Sequence, residues 1–282
     1  MWISVRRWVR LALLALSIGV TVNTLPEVAS ASDQSSTDIT LLLTSDVYKM
    51  SPEDGRGGLA RIAAVLKAEK AAHPNALTVH AGDTLSPSLM SSFDQGAHIV
   101  ELFNMSPLDI FVPGNHEFDF GPDVFFKRMR EFKAKILAAN LVVGNDDAAR
   151  TIGKTLIATF GPVKVGVIGL TDEDSAITSK PGRLKFKDSL ETAHTESENL
   201  RKQGADLIVV VAHAGRARDE ALFASGVADI ILSGHDHDLY MRYNEKTAIA
   251  EAGEDGMAIA AVDLKVNIET RADGSRLSLI HI

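Results

Sequence analysis

Five short polar blocks, each directly after an apolar strand-like segment, constrain this sequence more than any other feature. Each block contains a residue able to bind metal or move a proton: Asp46, Asp83, Asn115, His213 and His235. Buried strands that end in such residues are typical of α/β folds, in which ligands collect beyond the carboxyl ends of the strands. We therefore expect the five blocks to meet at one edge and form a single site.

Apolar strands and amphipathic helices alternate along the chain, which predicts an α/β architecture with strands covered on both faces. The predicted strands are residues 39–44, 76–81, 110–112, 135–139, 207–212 and 229–232, with a hairpin at 155–169 and a strand-like tail at 246–268. The predicted helices are residues 58–72, 98–104, 122–133 and 190–203. No repeat or linker divides the sequence, so residues 38–282 are interpreted as one catalytic domain.

The first 31 residues predict a signal peptide. Three arginines precede a short apolar run at residues 11–22, and Ala29-Ser30-Ala31 has the small-x-small pattern of a cleavage site. A membrane-spanning helix needs roughly 20 apolar residues, so an anchor is the weaker interpretation. We expect cleavage after Ala31, a flexible leader at residues 32–37, and a periplasmic or secreted mature protein with no membrane contact.

Charge and cysteine content restrict the possible ligands. The chain has a formal charge of −8, and cleavage after residue 31 would leave −10, because the removed residues contribute +2. An acidic protein repels polyanions, so nucleic acid is an unfavourable partner, whereas small phosphorylated molecules are compatible. Cysteine is absent, so any metal must be bound by oxygen and imidazole ligands. The sequence carries no signal for an oligomeric state.

Two of the five blocks are distinctive: the Gly-Asn-His-Glu-Phe-Asp run that begins at Gly114 and the Gly-His-Asp-His run that begins at Gly234. With the other blocks, they resemble the calcineurin-like metallophosphoesterase superfamily, most closely its bacterial 5′-nucleotidase/UDP-sugar hydrolase branch. The resemblance spans residues 39–266 and implies a four-layer α/β/β/α sandwich with metal ions at the strand ends. Relatives in this branch carry a second, C-terminal domain that clamps the base, and the resemblance covers only the N-terminal catalytic domain.

The resemblance implies six metal ligands: Asp46, Asp83, Asn115, His213, His235 and His237. Asp83 would bridge two ions, with Asp46 and His237 on the first ion and the remaining three residues on the second. The expected cofactors are two divalent ions, of Mn, Zn, Co or Fe. Such ions, about 3.5–4 Å apart, can clamp a phosphoryl group and activate a bridging hydroxide for in-line attack.

Two further residues of the same run would perform acid catalysis. His116 would stay off the metals and protonate the leaving oxygen, and Asp119 would orient His116 and keep it charged. The implied function is an exported hydrolase of small phosphomonoesters, with nucleotides as the leading substrates. A 2′,3′-cyclic phosphodiesterase, a nucleotide-sugar pyrophosphatase or a thiosulfohydrolase would use the same centre. The alternative that is not an enzyme is a degenerate metal-binding module.

Tyr48 departs from the family pattern, in which the first block usually reads Asp-x-His. A phenol, whose ordinary pKa is about 10, is a poor ligand for a divalent ion unless the metal forces it to ionise. Three interpretations stay open: Tyr48 binds trivalent iron, it stands as a spectator beside a weakened first site, or the site is degenerate. The sequence favours the spectator, because no other residue indicates a trivalent ion.

Overall fold

The computed structural model describes residues 34–144, 151–270 and 276–282. Within these ranges the strands are β1 Gln34–Thr44, β2 Ala76–His80, β3 Ile110–Phe111, β4 Lys135–Leu137, β5 Leu141–Val142, β6 Ile152–Gly153, β7 Thr155–Phe160, β8 Val163–Leu170, β9 Lys185–Phe186, β10 Leu207–His213, β11 Ile230–Gly234, β12 Leu239–Tyr243, β13 Ala248–Ala252, β14 Ala260–Thr270 and β15 Arg276–His281. The helices are α1 Leu59–Ala72, α2 Ser91–Asp94, α3 Ala97–Phe103, α4 Pro122–Glu131, α5 Ser175–Thr178, α6 Ser189–Lys202 and α7 Arg216–Ser225, with a 3₁₀ turn at His116–Phe118.

Two large sheets carry the fold. The first has the strand order β15-β14-β1-β2-β3-β4-β6 and is parallel from β1 to β6. The second has the order β12-β13-β11-β10-β8-β7 and is parallel from β13 to β8. Parallel neighbours end at the same edge of a sheet, so the polar blocks that follow these strands are collected at that edge.

The strands are apolar along their whole length because each sheet is covered on both faces. In β10, Val209 and Val211 pack into the core between the two sheets, while Ile208 and Val210 pack against the outer helices. Helices α1, α3 and α4 cover the outer face of the first sheet, and α6 and α7 cover that of the second. The predicted four-layer α/β/β/α sandwich is therefore confirmed.

The predicted flexible leader is wrong for residues 34–37, which are part of β1. These residues pair antiparallel with residues 266–269 of β14. Strand pairing satisfies backbone N–H and C=O groups whatever the side chains are, so the polar Gln-Ser-Ser-Thr segment showed no strand pattern. The predicted signal peptide, residues 1–31, and residues 32–33 lie outside the described residues. Within the described ranges, no helix has the length and apolarity needed to cross a bilayer.

Gly169 marks a close approach between the two sheets. Its carbonyl accepts a 2.7 Å hydrogen bond from the N–H of Ala139, and a Cβ at Gly169 would lie 2.5 Å from the carbonyl oxygen of Leu137. The nearest atoms include backbone atoms, which cannot rotate away from an added methyl group. Only glycine fits at this position without moving one of the two strands.

We expect Gly169→Ala to lower the free energy of unfolding by about 1–3 kcal/mol, the usual cost of overpacking. Gly153→Ala is the matched control, because its Cβ would meet Leu137 at the rotatable Cδ2, 3.1 Å away. Urea unfolding followed by circular dichroism measures both variants. Equal losses in the two would contradict a backbone clash at Gly169.

Candidate metal centre

The fold brings all eight predicted site residues to one place. The first sheet supplies the residues that follow β1, β2 and β3, and the second supplies those at the ends of β10 and β11: Asp46, Asp83, Asn115, His116, Asp119, His213, His235 and His237. The site therefore lies where the carboxyl edges of the two sheets meet. The assignment of six of these residues as metal ligands stays a prediction.

The backbone of four predicted ligands is in the left-handed region. Their φ angles are 54° at Asp46, 59° at Asp83, 101° at His235 and 62° at His237. Residues with a side chain adopt such angles uncommonly, and each instance costs about 1–3 kcal/mol. Left-handed residues concentrated at the strand ends are typical of a site whose surroundings hold it in place.

Glycine precedes three of the predicted ligands because the centre leaves no room for a side chain there. A Cβ at Gly114 would lie 2.2 Å from Asp83 Oδ1, and one at Gly234 would lie 2.8 Å from Asp46 Oδ2. A Cβ at the third glycine, Gly82, would lie 2.5 Å from the backbone nitrogen of Gly114 and 2.8 Å from His213 Nδ1. The Gly-Asp, Gly-Asn and Gly-His pairs of the sequence are therefore explained by close packing at the centre.

The second cluster, formed by the predicted ligands of the second ion, surrounds His213 Nε2. Asp83 Oδ2 lies 3.1 Å from this nitrogen, Asn115 Oδ1 lies 3.2 Å from it, and His235 Nδ1 lies 3.2 Å from it. Metal–ligand bonds of about 2.0–2.2 Å place neighbouring ligand atoms about 2.9–3.5 Å apart. These four atoms thus have the spacing of a coordination shell, and they are the predicted ligands of the second ion.

The ring of His213 is oriented by a bond between the two sheets. Its Nδ1–H donates to the carbonyl of Ala81 at 2.7 Å, which leaves the Nε2 lone pair facing the cluster. Burial opposes a charge on this ring, yet the Asp83 carboxylate raises the pKa of His213 to about 10. A metal needs the neutral imidazole, so cation and proton compete for the same nitrogen.

The first cluster, formed by the predicted ligands of the first ion, contains Tyr48 as well. The hydroxyl oxygen of Tyr48 lies 3.1 Å from His237 Nε2, 3.2 Å from Asp83 Oδ2 and 3.4 Å from Asp46 Oδ1. Asp83 Oδ2 is thus shared by both clusters, as a bridging ligand requires. Burial and the charges of Asp83 and Asp46 raise the pKa of Tyr48 far above its usual range, so the uncoordinated phenol is protonated.

His116 lies beside the two clusters without joining either. Its Nδ1 is 2.7 Å from Asp119 Oδ2, and its Nε2 is 4.0 Å from Asp83 Oδ2. The hydrogen bond to Asp119, together with the charge of Asp83, raises the pKa of His116 against the effect of partial burial. Asp119 is held by the hydroxyls of Ser86, at 2.8 Å, and Ser179, at 2.7 Å. An imidazole bonded to a fixed carboxylate is oriented so that its Nε2 faces the clusters.

Sequence reasoning missed several supporting residues. Ser86 and Ser179 were not predicted, and neither was Glu254, whose carboxylate lies 3.1 Å from His237 Nδ1 and orients that ring. Each is a common residue type on a loop outside the five blocks, so no local pattern could have identified it. Glu117 is completely buried and accepts hydrogen bonds from four backbone N–H groups: those of Asp83, Thr84, Leu85 and Gly114.

Residues 39–239 match the calcineurin-like phosphoesterase family. Over 216 residues, or 70% of the chain, the sequence is 31% identical to the snake venom 5′-nucleotidase of Naja atra. This chain belongs to the calcineurin-like phosphoesterase family. Within that family its relatives support the 5′-nucleotidase branch, as the sequence predicted. The chain covers 41% of the length of the cobra protein.

Solved structures of this branch share the fold. The NAD nucleotidase of Haemophilus influenzae superposes with a TM-score of 0.74 at 22% identity, over 88% of this chain and 55% of that one. The sulfate thiohydrolase SoxB of Thermus thermophilus gives 0.68 at 20% identity, over 86% and 56%. At these sequence identities, the two superpositions show a shared fold and nothing further.

We expect Glu117→Gln to destabilise the protein and weaken metal binding. The amide nitrogen of glutamine cannot accept a hydrogen bond, so at least one of the four N–H groups loses its partner, at a cost of about 1–3 kcal/mol. The loop of Asp83 would loosen with it. Glu131→Gln, at a carboxylate that is 39% exposed and paired with Arg128, is the control. Urea unfolding and calorimetric titration with Mn²⁺ test both effects, and an unchanged Glu117→Gln protein would refute the supporting role.

Proposed function

We propose that this chain hydrolyses small phosphate esters, with nucleotides as the leading substrates, at a centre of two metal ions. One observation carries the proposal: the imidazole of His116, bonded to the Asp119 carboxylate, faces two adjoining clusters of ligand atoms without being part of either. A structural metal site needs ligands only. A proton donor fixed by Asp119 next to such a site is what departure of an alcohol requires.

The residues present fit a pair of metal ions. Asp46 and Asp83 are almost completely buried, at 0% and 2% exposure, and buried carboxylates need compensating charge. The other predicted ligand atoms are imidazole nitrogens and an amide oxygen, a set that suits Mn, Zn, Co or Fe. When bound, two such ions supply Lewis acidity to the phosphoryl oxygens and lower the pKa of the attacking water.

The chain's own contribution to the chemistry is proton transfer and orientation. Because Nδ1 of His116 bonds to Asp119, its Nε2–H is the proton that can reach the leaving oxygen of the ester. Asp119 stabilises the imidazolium before transfer and keeps the ring in the same orientation afterwards. Ser86 and Ser179 hold that carboxylate, so the donor is positioned before substrate arrives.

Nucleotides are the favoured substrates because the similar proteins are named 5′-nucleotidases, at up to 31% identity. An acidic protein disfavours long nucleic acid, as expected from the charge. The same centre would serve a 2′,3′-cyclic phosphodiesterase, a nucleotide-sugar pyrophosphatase or a thiosulfohydrolase. The degenerate module is disfavoured, because the donor pair and both clusters are assembled together. Export, which the signal-peptide pattern supports, is part of the proposal.

The first test is turnover on a substrate panel with controlled metal content. Thorough chelation should abolish hydrolysis of nucleoside monophosphates, because buried carboxylates without cations cannot bind a phosphate. Added Mn, Co, Zn or Fe should restore it. Nucleoside 2′,3′-cyclic phosphates, a nucleotide sugar and a thiosulfate ester form the comparison set. Hydrolysis that survives metal removal would end the metal mechanism, and no turnover on any substrate with any metal would favour the binding module.

The second test distinguishes a role of His116 as a proton donor from a role as a metal ligand. His116→Asn should lower the turnover number by about 10²–10⁴, the usual contribution of a positioned proton donor. Bound metal, measured by mass spectrometry, should not change. His73→Asn, just after α1 and away from the site, is the control. Loss of a metal equivalent together with activity would show that His116 is a ligand.

A further inference from the structure

The hydroxyl oxygen of Tyr48 occupies a vertex of the first cluster. Its distances to the nearest atoms of His237, Asp83 and Asp46 are 3.1, 3.2 and 3.4 Å, and Asp46 Oδ1 lies 3.5 Å from His237 Nε2. Ligand atoms held by bonds of about 2.0–2.2 Å stand about 2.9–3.5 Å apart. The phenol oxygen therefore has the spacing that the second cluster shows around His213, where every member is a predicted ligand.

The turn that carries Tyr48 is fixed by a buried carboxylate. The backbone N–H groups of Tyr48 and Lys49 each donate to Asp255 Oδ1 at 3.0 Å. The N–H of Asp255 in turn donates to the carbonyl of Asp46 at 2.8 Å, and Asp255 is 4% exposed. The backbone from which the phenol projects is thus held by contacts that do not involve the hydroxyl of Tyr48.

The ring of Tyr48 packs between the imidazoles of His116 and His237. Its centroid lies 6.0 Å from that of His116, edge to face, and 5.6 Å from that of His237. A phenylalanine would make the same ring contacts. Only the hydroxyl reaches the carboxylates, so the oxygen atom and the ring can be tested separately.

Charge decides which ion suits this cluster. When a metal–oxygen bond forms, the phenol proton leaves to solvent and a phenolate remains, as happens to a coordinating thiol. Tyr48, Asp46 and Asp83 then present three negative charges, whereas an imidazole in place of Tyr48 would leave two. Attraction scales with the product of the charges, so the extra charge favours a trivalent ion. Iron is the metal that accepts tyrosine oxygen in catalases.

We propose that Tyr48 is the fourth protein ligand of the first ion and that the site it completes takes trivalent iron. This rests on the two-ion centre of the proposed function. It replaces the spectator favoured by the sequence, because the hydroxyl oxygen lies within ligand spacing of all three predicted ligands of that ion. The second cluster, with neutral imidazoles and an amide, remains a divalent site.

The test is reconstitution of metal-stripped protein with iron(III) citrate, read by visible absorption and iron content without substrate. The wild type should bind one iron per chain and show a phenolate-to-iron charge-transfer band. Tyr48→Phe should lose the band and most of the iron while keeping the ring contacts. Tyr48→His should lose the band and, in competition, exchange iron for manganese. Tyr243→Phe, an exposed tyrosine on β12, is the matched control and should behave as the wild type.

Iron bound without the band, a band that persists in Tyr48→Phe, or a wild type that does not retain iron would each overturn the ligation. Should Tyr48→Phe fail to fold, resonance Raman spectroscopy of the iron-loaded wild type is a sufficient test. Tyrosinate ring modes in the spectrum would support the ligation, and their absence would overturn it. Phosphate-ester turnover without the band would reject Tyr48 as a ligand and leave the proposed function standing. A charge-transfer band in a protein without phosphate-ester turnover would support Tyr48 as a ligand and reject the proposed function.

Discussion

The buried charges of two carboxylates, Asp46 and Asp83, are the main constraint on the structure where the two sheets meet. Removing ionised groups from water is costly unless opposite charge or hydrogen-bond donors replace the solvent. The surroundings supply both. Backbone N–H groups of His116 and His235 donate to the two carboxylates, and the imidazole of His213 stands 3.1 Å from Asp83. Cations in the two clusters would balance the remaining negative charge of the carboxylates. The same two buried groups therefore account both for a cost of folding and for the affinity of the site for metal ions.

Holding these groups together places demands on the rest of the chain. Left-handed residues, crowded glycines and a buried Glu117 all lie at the strand ends, where each lowers stability or leaves no freedom for substitution. The apolar cores on both sides of each sheet offset these costs, since every strand residue of β10 and β11 is buried. The rigid layers therefore fix a strained edge that isolated loops could not maintain.

The imidazoles of the centre differ in role because their second nitrogen and their distance differ. His213 donates from Nδ1 to a backbone carbonyl and turns Nε2 into a cluster of ligand atoms. His116 bonds Nδ1 to a carboxylate and keeps Nε2 4.0 Å from the nearest carboxylate oxygen of that cluster. The first arrangement suits a neutral ligand, and the second suits a charged donor. Identical side chains thus perform different chemistry according to what holds them.

Local patterns in the sequence were sufficient for the fold class and the strand ends, because periodicity and turn-forming glycines act over a few residues. The eight predicted site residues came from the resemblance of these blocks to a known family, and the fold brings them to one edge. Local patterns were insufficient for β1 at residues 34–37, where pairing with β14 depends on backbone groups. They were also insufficient for the bond of Ser179 to Asp119, 60 residues apart, and for the contact of Tyr48 with His237, 189 residues apart. Such contacts arise when two sheets pack and bring distant loops to one edge. Only the tertiary structure could place the phenol of Tyr48 among the ligands, since its distance to them is set by that packing.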